Sequence, residues 1–246
     1  MSYLKYFNDE RINLARGLMR NASSEHKFGA VPSMSQSQTG TVWDINDTTY
    51  PWRALASANN VQIATVNAAD NLKQISIVGL DSNYNIQIET LTANSSAAVA
   101  TTGTYLRVYD AYVVDGGETN VADINITNGG STTIARMLAG FSRTKMAIYT
   151  VPAGYTGYLT QGTCSAQASA DGTGNMFVRY FGKETFRVGH TFEVTGGSQY
   201  FYNFNVPLPI PEKSDIDIRI TTRSNNGRFT AAFDLILIEN DGTGLR

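Results

Sequence analysis

Ile216-Asp217-Ile218-Arg219-Ile220 alternates apolar and charged side chains with period two, and only a β-strand sends successive residues to opposite faces. Asn225-Asn226-Gly227 then turns the chain into a second strand-like run, Phe229 to Ile238. Upstream, Phe201-Tyr202-Asn203-Phe204-Asn205-Val206 reads as a further strand. Pro207-Leu208-Pro209-Ile210-Pro211 follows it and reads as a stiff extended connector. Strands this close together, separated by turn residues, confine the last third to antiparallel sheet. No motif of a catalytic site falls within it, so the chain is expected to build or bind rather than catalyse.

The same pattern begins near Val61. Val61–Ala64, Gln74–Val78, Ile86–Leu91, Thr104–Val114 and Asp123–Thr127 read as five strands, the fourth bulged near Asp110. Gly79–Asn85 and Asn128-Gly129-Gly130 supply turns, and Asp115-Gly116-Gly117 stops the fourth strand. Met146–Val151, Tyr155–Thr163, Asn175–Phe181 and Thr185–Val194 continue the series, the last two as a hairpin around Gly182-Lys183. Short strands with Gly-rich turns predict an all-β fold. The 246 residues accommodate two domains of about 100 residues each. The expected architecture is two small antiparallel β-sandwich (jelly-roll-like) domains, over 56–140 and 141–246, joined near Ala139-Gly140. An extended N-terminal arm with a short helix and an aromatic anchor precedes them over 1–55.

Within the arm, Asn8 or Asp9 is a suitable cap for a helix reaching Arg20, weakened by Gly17. Asn21–Gly40 is rich in Ser, Gln, Gly and Ala, with Phe28, Val31 and Met34 as isolated apolar points. It packs either on its own domain or on a neighbouring copy. Trp43, Tyr50 and Trp52 lie within ten residues. They either close one end of a sandwich or face a subunit or a sugar. Tyr105 and Tyr109 share one predicted strand. Phe28, Trp43, Tyr50, Trp52, Tyr105 and Tyr109 are therefore the candidate interface residues.

Composition narrows the function classes. The formal net charge is −2 with no Lys/Arg cluster, so no nucleic-acid partner is expected. Charged residues make up 16% of the chain, against roughly 25% in average globular proteins. That suits a surface covered in an assembly, and equally a neutral soluble β protein. Cys164 is alone, which precludes an intramolecular disulfide and disfavours a thiolate metal site. His26 and His190 are far apart, and a Cys164–His190 pair has no supporting motif. Nucleophile-elbow, phosphate-loop and Cys-x-x-Cys motifs are absent. Asp81 with Asn83 fits a plain turn better than a calcium loop. No catalytic residue, cofactor or metal is expected. Met1–Arg20 lacks the apolar core of a signal peptide, and no stretch approaches the roughly 20 apolar residues of a membrane span. The expectation is synthesis in a cytoplasm, without a membrane partner.

Four segments carry a resemblance: Ser24-Glu25-His26-Lys27-Phe28-Gly29, Gly79-Leu80-Asp81-Ser82-Asn83-Tyr84-Asn85, Tyr149-Thr150-Val151-Pro152-Ala153-Gly154, and Pro207 through Asp215. In order and spacing the chain resembles, over nearly its whole length, a group of virion structural proteins of tailed bacteriophages, many marine or cyanobacterial. The resemblance implies a non-enzymatic virion component, made in the bacterial host cytoplasm. An outer head-decoration, neck or tail protein fits, assembling with copies of itself and other virion proteins through its arm and β surfaces. It supplies no catalytic residues. The alternative is a glycan-binding adsorption module on the particle, which requires an exposed Trp or Tyr platform. Trp43 and Trp52 buried within the protomer would weaken that alternative.

Overall fold

The computed structural model describes residues 9–115, 117 and 119–241. Helix α1 (Glu10–Ala15) is followed by sixteen strands. The first nine are β1 (Ala22–Met34), β2 (Thr39–Thr41), β3 (Asn59–Ala64), β4 (Gln74–Leu80), β5 (Ile86–Thr92), β6 (Val99–Tyr105), β7 (Arg107–Asp115), β8 (Ile124–Asn128) and β9 (Thr132–Met137). The rest are β10 (Ile148–Thr150), β11 (Tyr155–Ala166), β12 (Gly172–Arg179), β13 (Arg187–Val194), β14 (Gln199–Ile210), β15 (Asp215–Thr222) and β16 (Gly227–Glu239).

Two antiparallel sheets form the main sandwich. One runs β1-β16-β11-β14; the other runs β10-β15-β12-β13, with β2 also on β15. β2 and β10 lie end to end along the same edge of β15. The Val42 N–H donates to the Ile218 carbonyl (2.8 Å) and the Ile218 N–H to the Ala147 carbonyl (3.2 Å). The Ala147 N–H closes the splice on the Val42 carbonyl (2.9 Å). Taken as one composite strand, they complete a path that crosses between two four-stranded sheets at every step except the β12–β13 hairpin, the arrangement of a jelly roll. Phe229, Phe233, Leu235 and Leu237 of β16 face Ile216, Ile218 and Ile220 of β15 across the core, all buried. Each such side chain contributes roughly 1.5–3 kcal/mol by leaving water.

Residues 43–146 are therefore an insertion into one strand of the jelly roll. The chain leaves and returns side by side, through a bridge between Trp43 and Met146. Asp44 secures the exit: it accepts from the Lys145 N–H (2.9 Å) and pairs with the Lys145 ammonium (3.2 Å). Burial pushes the Asp44 carboxyl up to about 6 in spite of these partners. The insertion folds as its own pair of sheets, β6-β3-β8-β9 and β5-β4-β7.

Several expectations are corrected by this architecture. The expected arm is largely strand: β1 pairs with β16 from Ala22↔Ile238 to Met34↔Gly227 and closes the edge of the jelly-roll sheet. The short helix ends at Ala15 instead of Arg20, because Gly17 takes the left-handed conformation (φ 66°) of a helix stop. Asp9 caps it, while Asn8 lies outside the described residues, as does Gly116 of the expected turn after Asp115. The long strand Thr104–Val114 breaks at Leu106, so its halves, β6 and β7, belong to different sheets. With β6 and β9 the region has seven strands, not five. The Pro207–Pro211 connector is mostly strand: β14 continues through Ile210, with Pro209 opposite Tyr158. β14 is an edge strand, where a residue without an N–H is tolerated.

Candidate functional site

The insertion docks on the jelly roll through β7, and the polar groups of the chain concentrate there. The β4–β7 register shifts between Val78 and Gly79, which leaves Tyr109 as the extra residue of a bulge beside Asp110. A bulge frees backbone groups from the ladder. The Lys27 ammonium of β1, itself buried, donates to the Tyr109 carbonyl (2.5 Å). Burial holds Lys27 down at about 8, with Asp110 and Glu25 opposing the shift. Tyr109 packs edge-on against Tyr149 of β10 at 4.9 Å. Two residues earlier, the Arg107 guanidinium donates to Asp215 of β15 (3.0 Å) and to the Leu55 carbonyl (2.9 Å).

The aromatic segment after β2 lies over the outer face of β15. The Trp52 indole N–H donates to Asp217 (2.8 Å), which also accepts from Thr41 (2.9 Å) and Arg219 (2.7 Å). The Tyr50 hydroxyl donates to the Val108 carbonyl (3.1 Å), and the Trp43 indole N–H to the Thr48 carbonyl (3.1 Å). Asp215 accepts from Arg107, from Arg179 (2.8 Å) and from Thr150 (2.6 Å). The charged face of Ile216–Ile220 is thus covered by protein. Burial raises the Asp217 carboxyl, against the pull of Arg219 and its other hydrogen bonds.

These positions correct the interface expectation. Trp43, Tyr50, Trp52, Tyr105 and Tyr109 are all buried within the protomer, so they present no surface to a second copy or a sugar. Phe28 is half-buried under the Arg143 guanidinium, 5.2 Å from its ring. What most of them build is the joint between insertion and jelly roll.

Above this joint lies an open cleft of about 550 Å³. Arg107 and Arg179 form its floor around Asp215. Its walls come from the segment after Trp52, the β4–β5 turn with Tyr84, the β12–β13 turn with Phe181 and Lys183, and Lys213 before β15. Phe181 is exposed; it meets Tyr84 edge-on at 5.6 Å and carries the Lys213 ammonium 5.0 Å from its ring centroid.

Other chemistry-bearing residues separate. Burial pushes the Cys164 thiol up to about 12, which keeps it protonated. His190 pairs with the Tyr200 hydroxyl (2.8 Å) instead of the thiol. His26 reaches Asp234, a partner on β16 that sequence spacing did not reveal. Asp81 accepts from the Asn83 and Asn85 N–H groups (2.8 and 2.9 Å), a side-chain-closed turn. Among the described residues, no group of three or more His, Cys, Asp or Glu is placed to hold a metal ion. No helix among them is long and apolar enough to cross a membrane.

The free edges differ in character. From Val194 to Pro211 the chain carries no charged side chain. β14 forms the outer edge of its sheet there, with Phe201 56% and Val206 82% exposed, and Val188 of β13, the edge strand of the other sheet, 53% exposed.

No family model matches the chain, and no curated protein matches it significantly. Among solved structures it is similar to one of infectious bursal disease virus, Gx strain, at 10% identity and a TM-score of 0.26, covering 91% of this chain and 73% of that chain. The VP2 subviral particle of the same virus is similar at 10% identity and a TM-score of 0.22, covering 90% and 72%. At such scores the likeness carries no argument about this chain.

Proposed function

We propose that the protein is a non-enzymatic structural component of a bacteriophage virion, an outer head-decoration, neck or tail protein present in multiple copies. The observation that carries assembly in multiple copies is the β14 edge. Edge strands are protected by charged side chains, bulges or Pro. β14 has Pro207 and Pro209 only in its last third, while Gln199–Val206 carries neither charge nor Pro and leaves Phe201 and Val206 exposed, which invites pairing with another chain. The low charge content of the whole chain agrees with a surface covered in an assembly. A glycan platform made of Trp43 and Trp52 is excluded by their burial.

Sedimentation velocity on the purified chain, with immunogold labelling of particles, tests the reading. Concentration-dependent oligomers, dispersed by Phe201→Lys or Val206→Lys, are expected, together with labelled particles. A monomer at every attainable concentration and unlabelled particles would overturn it.

A further inference from the structure

We propose that the cleft between the insertion and the jelly roll binds an acidic saccharide, with the anionic group on the cations of floor and rim and the sugar ring against Phe181. Four observations converge on this. The first is size: about 550 Å³ falls within the roughly 300–1,000 Å³ of small-ligand sites.

The second is charge. On the floor, two guanidiniums, Arg107 and Arg179, share the single carboxylate of Asp215. On the rim, Arg53, Lys183 and Lys213 belong to no ion pair among the described residues. Only Glu184 adds a further negative charge to the lining. This excess of cations stands on a chain whose formal net charge is −2, so it is local to the cleft. A concave site lined by one sign of charge concentrates ligands of the other.

The third is the ring wall. Phe181 is 57% exposed, meets Tyr84 edge-on, and has the Lys213 ammonium over one face of its ring, leaving the other face for a ligand. A flat apolar face next to fixed cations suits the C–H face of a sugar that bears a carboxylate, sulfate or phosphate.

The fourth is what the cleft lacks. Protein partners concentrate their binding energy in a few large side chains seated in desolvated pockets. Here the Trp52 ring is buried, with the Arg107 and Arg179 guanidiniums 5.3 and 5.6 Å from its centroid. The site offers a polar floor and an aromatic side wall.

Capture here does not require copies to assemble through β14, so its failure leaves the assembly reading standing, and the reverse. The test is calorimetric titration of the intact chain with oligogalacturonate, a neutral maltooligosaccharide, polyglutamate and inorganic phosphate, at low and high salt. Saturable binding of oligogalacturonate is expected, weakened by salt, with no binding of the neutral sugar. Lys183→Glu and Arg53→Glu change exposed residues on separate segments, and each is expected to weaken binding about tenfold. Phe181→Ala is expected to weaken it severalfold. A loss shared by both charge reversals assigns the effect to the cleft and not to one misfolded turn. No saturable binding of oligogalacturonate, equal binding of the neutral sugar, unchanged binding by the variants, or equal or tighter binding of polyglutamate or phosphate would each overturn the assignment.

Discussion

Lys27 shows how a residue's role depends on what surrounds it. In sequence it is one cation in a polar stretch; in the structure it is buried and bonded to the carbonyl that the β7 bulge releases. Its folded-state value of about 8 lies below the ordinary 10.5. Between those two pH values the unfolded chain holds a proton that the folded chain has lost, so stability rises as pH rises. Below pH 8 the buried ammonium costs on the order of 3 kcal/mol relative to an exposed one. Urea denaturation across pH 7–10.5 should therefore show wild type gaining stability relative to Lys27→Met as pH climbs through that window. A pH-independent difference between the two would contradict this account. Asp215 and Asp217 carry the same lesson. Their alternation with Ile216 and Ile218 predicts a strand correctly but says nothing of the Trp52 segment that covers their face.

Among the elements, β1 carries the weakest local strand signal. Its inward positions include Lys27, Gly29 and Val31, so the period-two signal that marks β15 and β16 is missing although the burial alternates. Gly29 is required by close approach: a Cβ there would lie 2.0 Å from the Val42 carbonyl oxygen and 2.4 Å from the Ala147 nitrogen. Both are backbone atoms of the splice between β2 and β10, which cannot swing aside as a flexible side chain does. Gly29→Ala should destabilise the chain by about 3 kcal/mol or prevent soluble folding, measured by denaturant midpoint. A wild-type midpoint would show that the splice tolerates displacement. β6 and β9 are weakly marked for a related reason. Val99–Tyr105 carries three threonines and a glycine where a strand signal would need apolar side chains, and β9 is a short run after a turn. The β14 segment is legible as extended, but its position at an edge depends on partners far away in sequence.

For the molecule as a whole, the insertion is tied into the jelly roll more tightly than two linked domains need be. One continuous set of buried apolar residues runs from Ile75 and Ile77 of the insertion to Leu235 and Leu237 of the jelly roll. The buried Arg107–Asp215 pair crosses the joint, and breaking such a pair costs about 3–5 kcal/mol. Neither unit can separate without exposing that charge and the Tyr109–Tyr149 contact. Calorimetry should therefore show a single unfolding transition, coincident with loss of the buried-tryptophan fluorescence. Two resolved transitions would mean that the joint is weaker than its buried contacts imply.

The sequence by itself determined the all-β class, most strand positions and the turns between them, because these follow from period-two patterning and local backbone preference. It also placed the bulge near Asp110. Only the tertiary structure decided that residues 43–146 interrupt a single jelly-roll strand, that the expected arm is an edge strand, and that the aromatic anchor faces inward. Those facts rest on backbone hydrogen bonds and burial between residues a hundred or more positions apart, such as Val42 with Ile218 and Ala147. A local pattern states that a segment is extended. It carries no information about which strand completes the ladder, or whether its outer face meets water or another part of the chain.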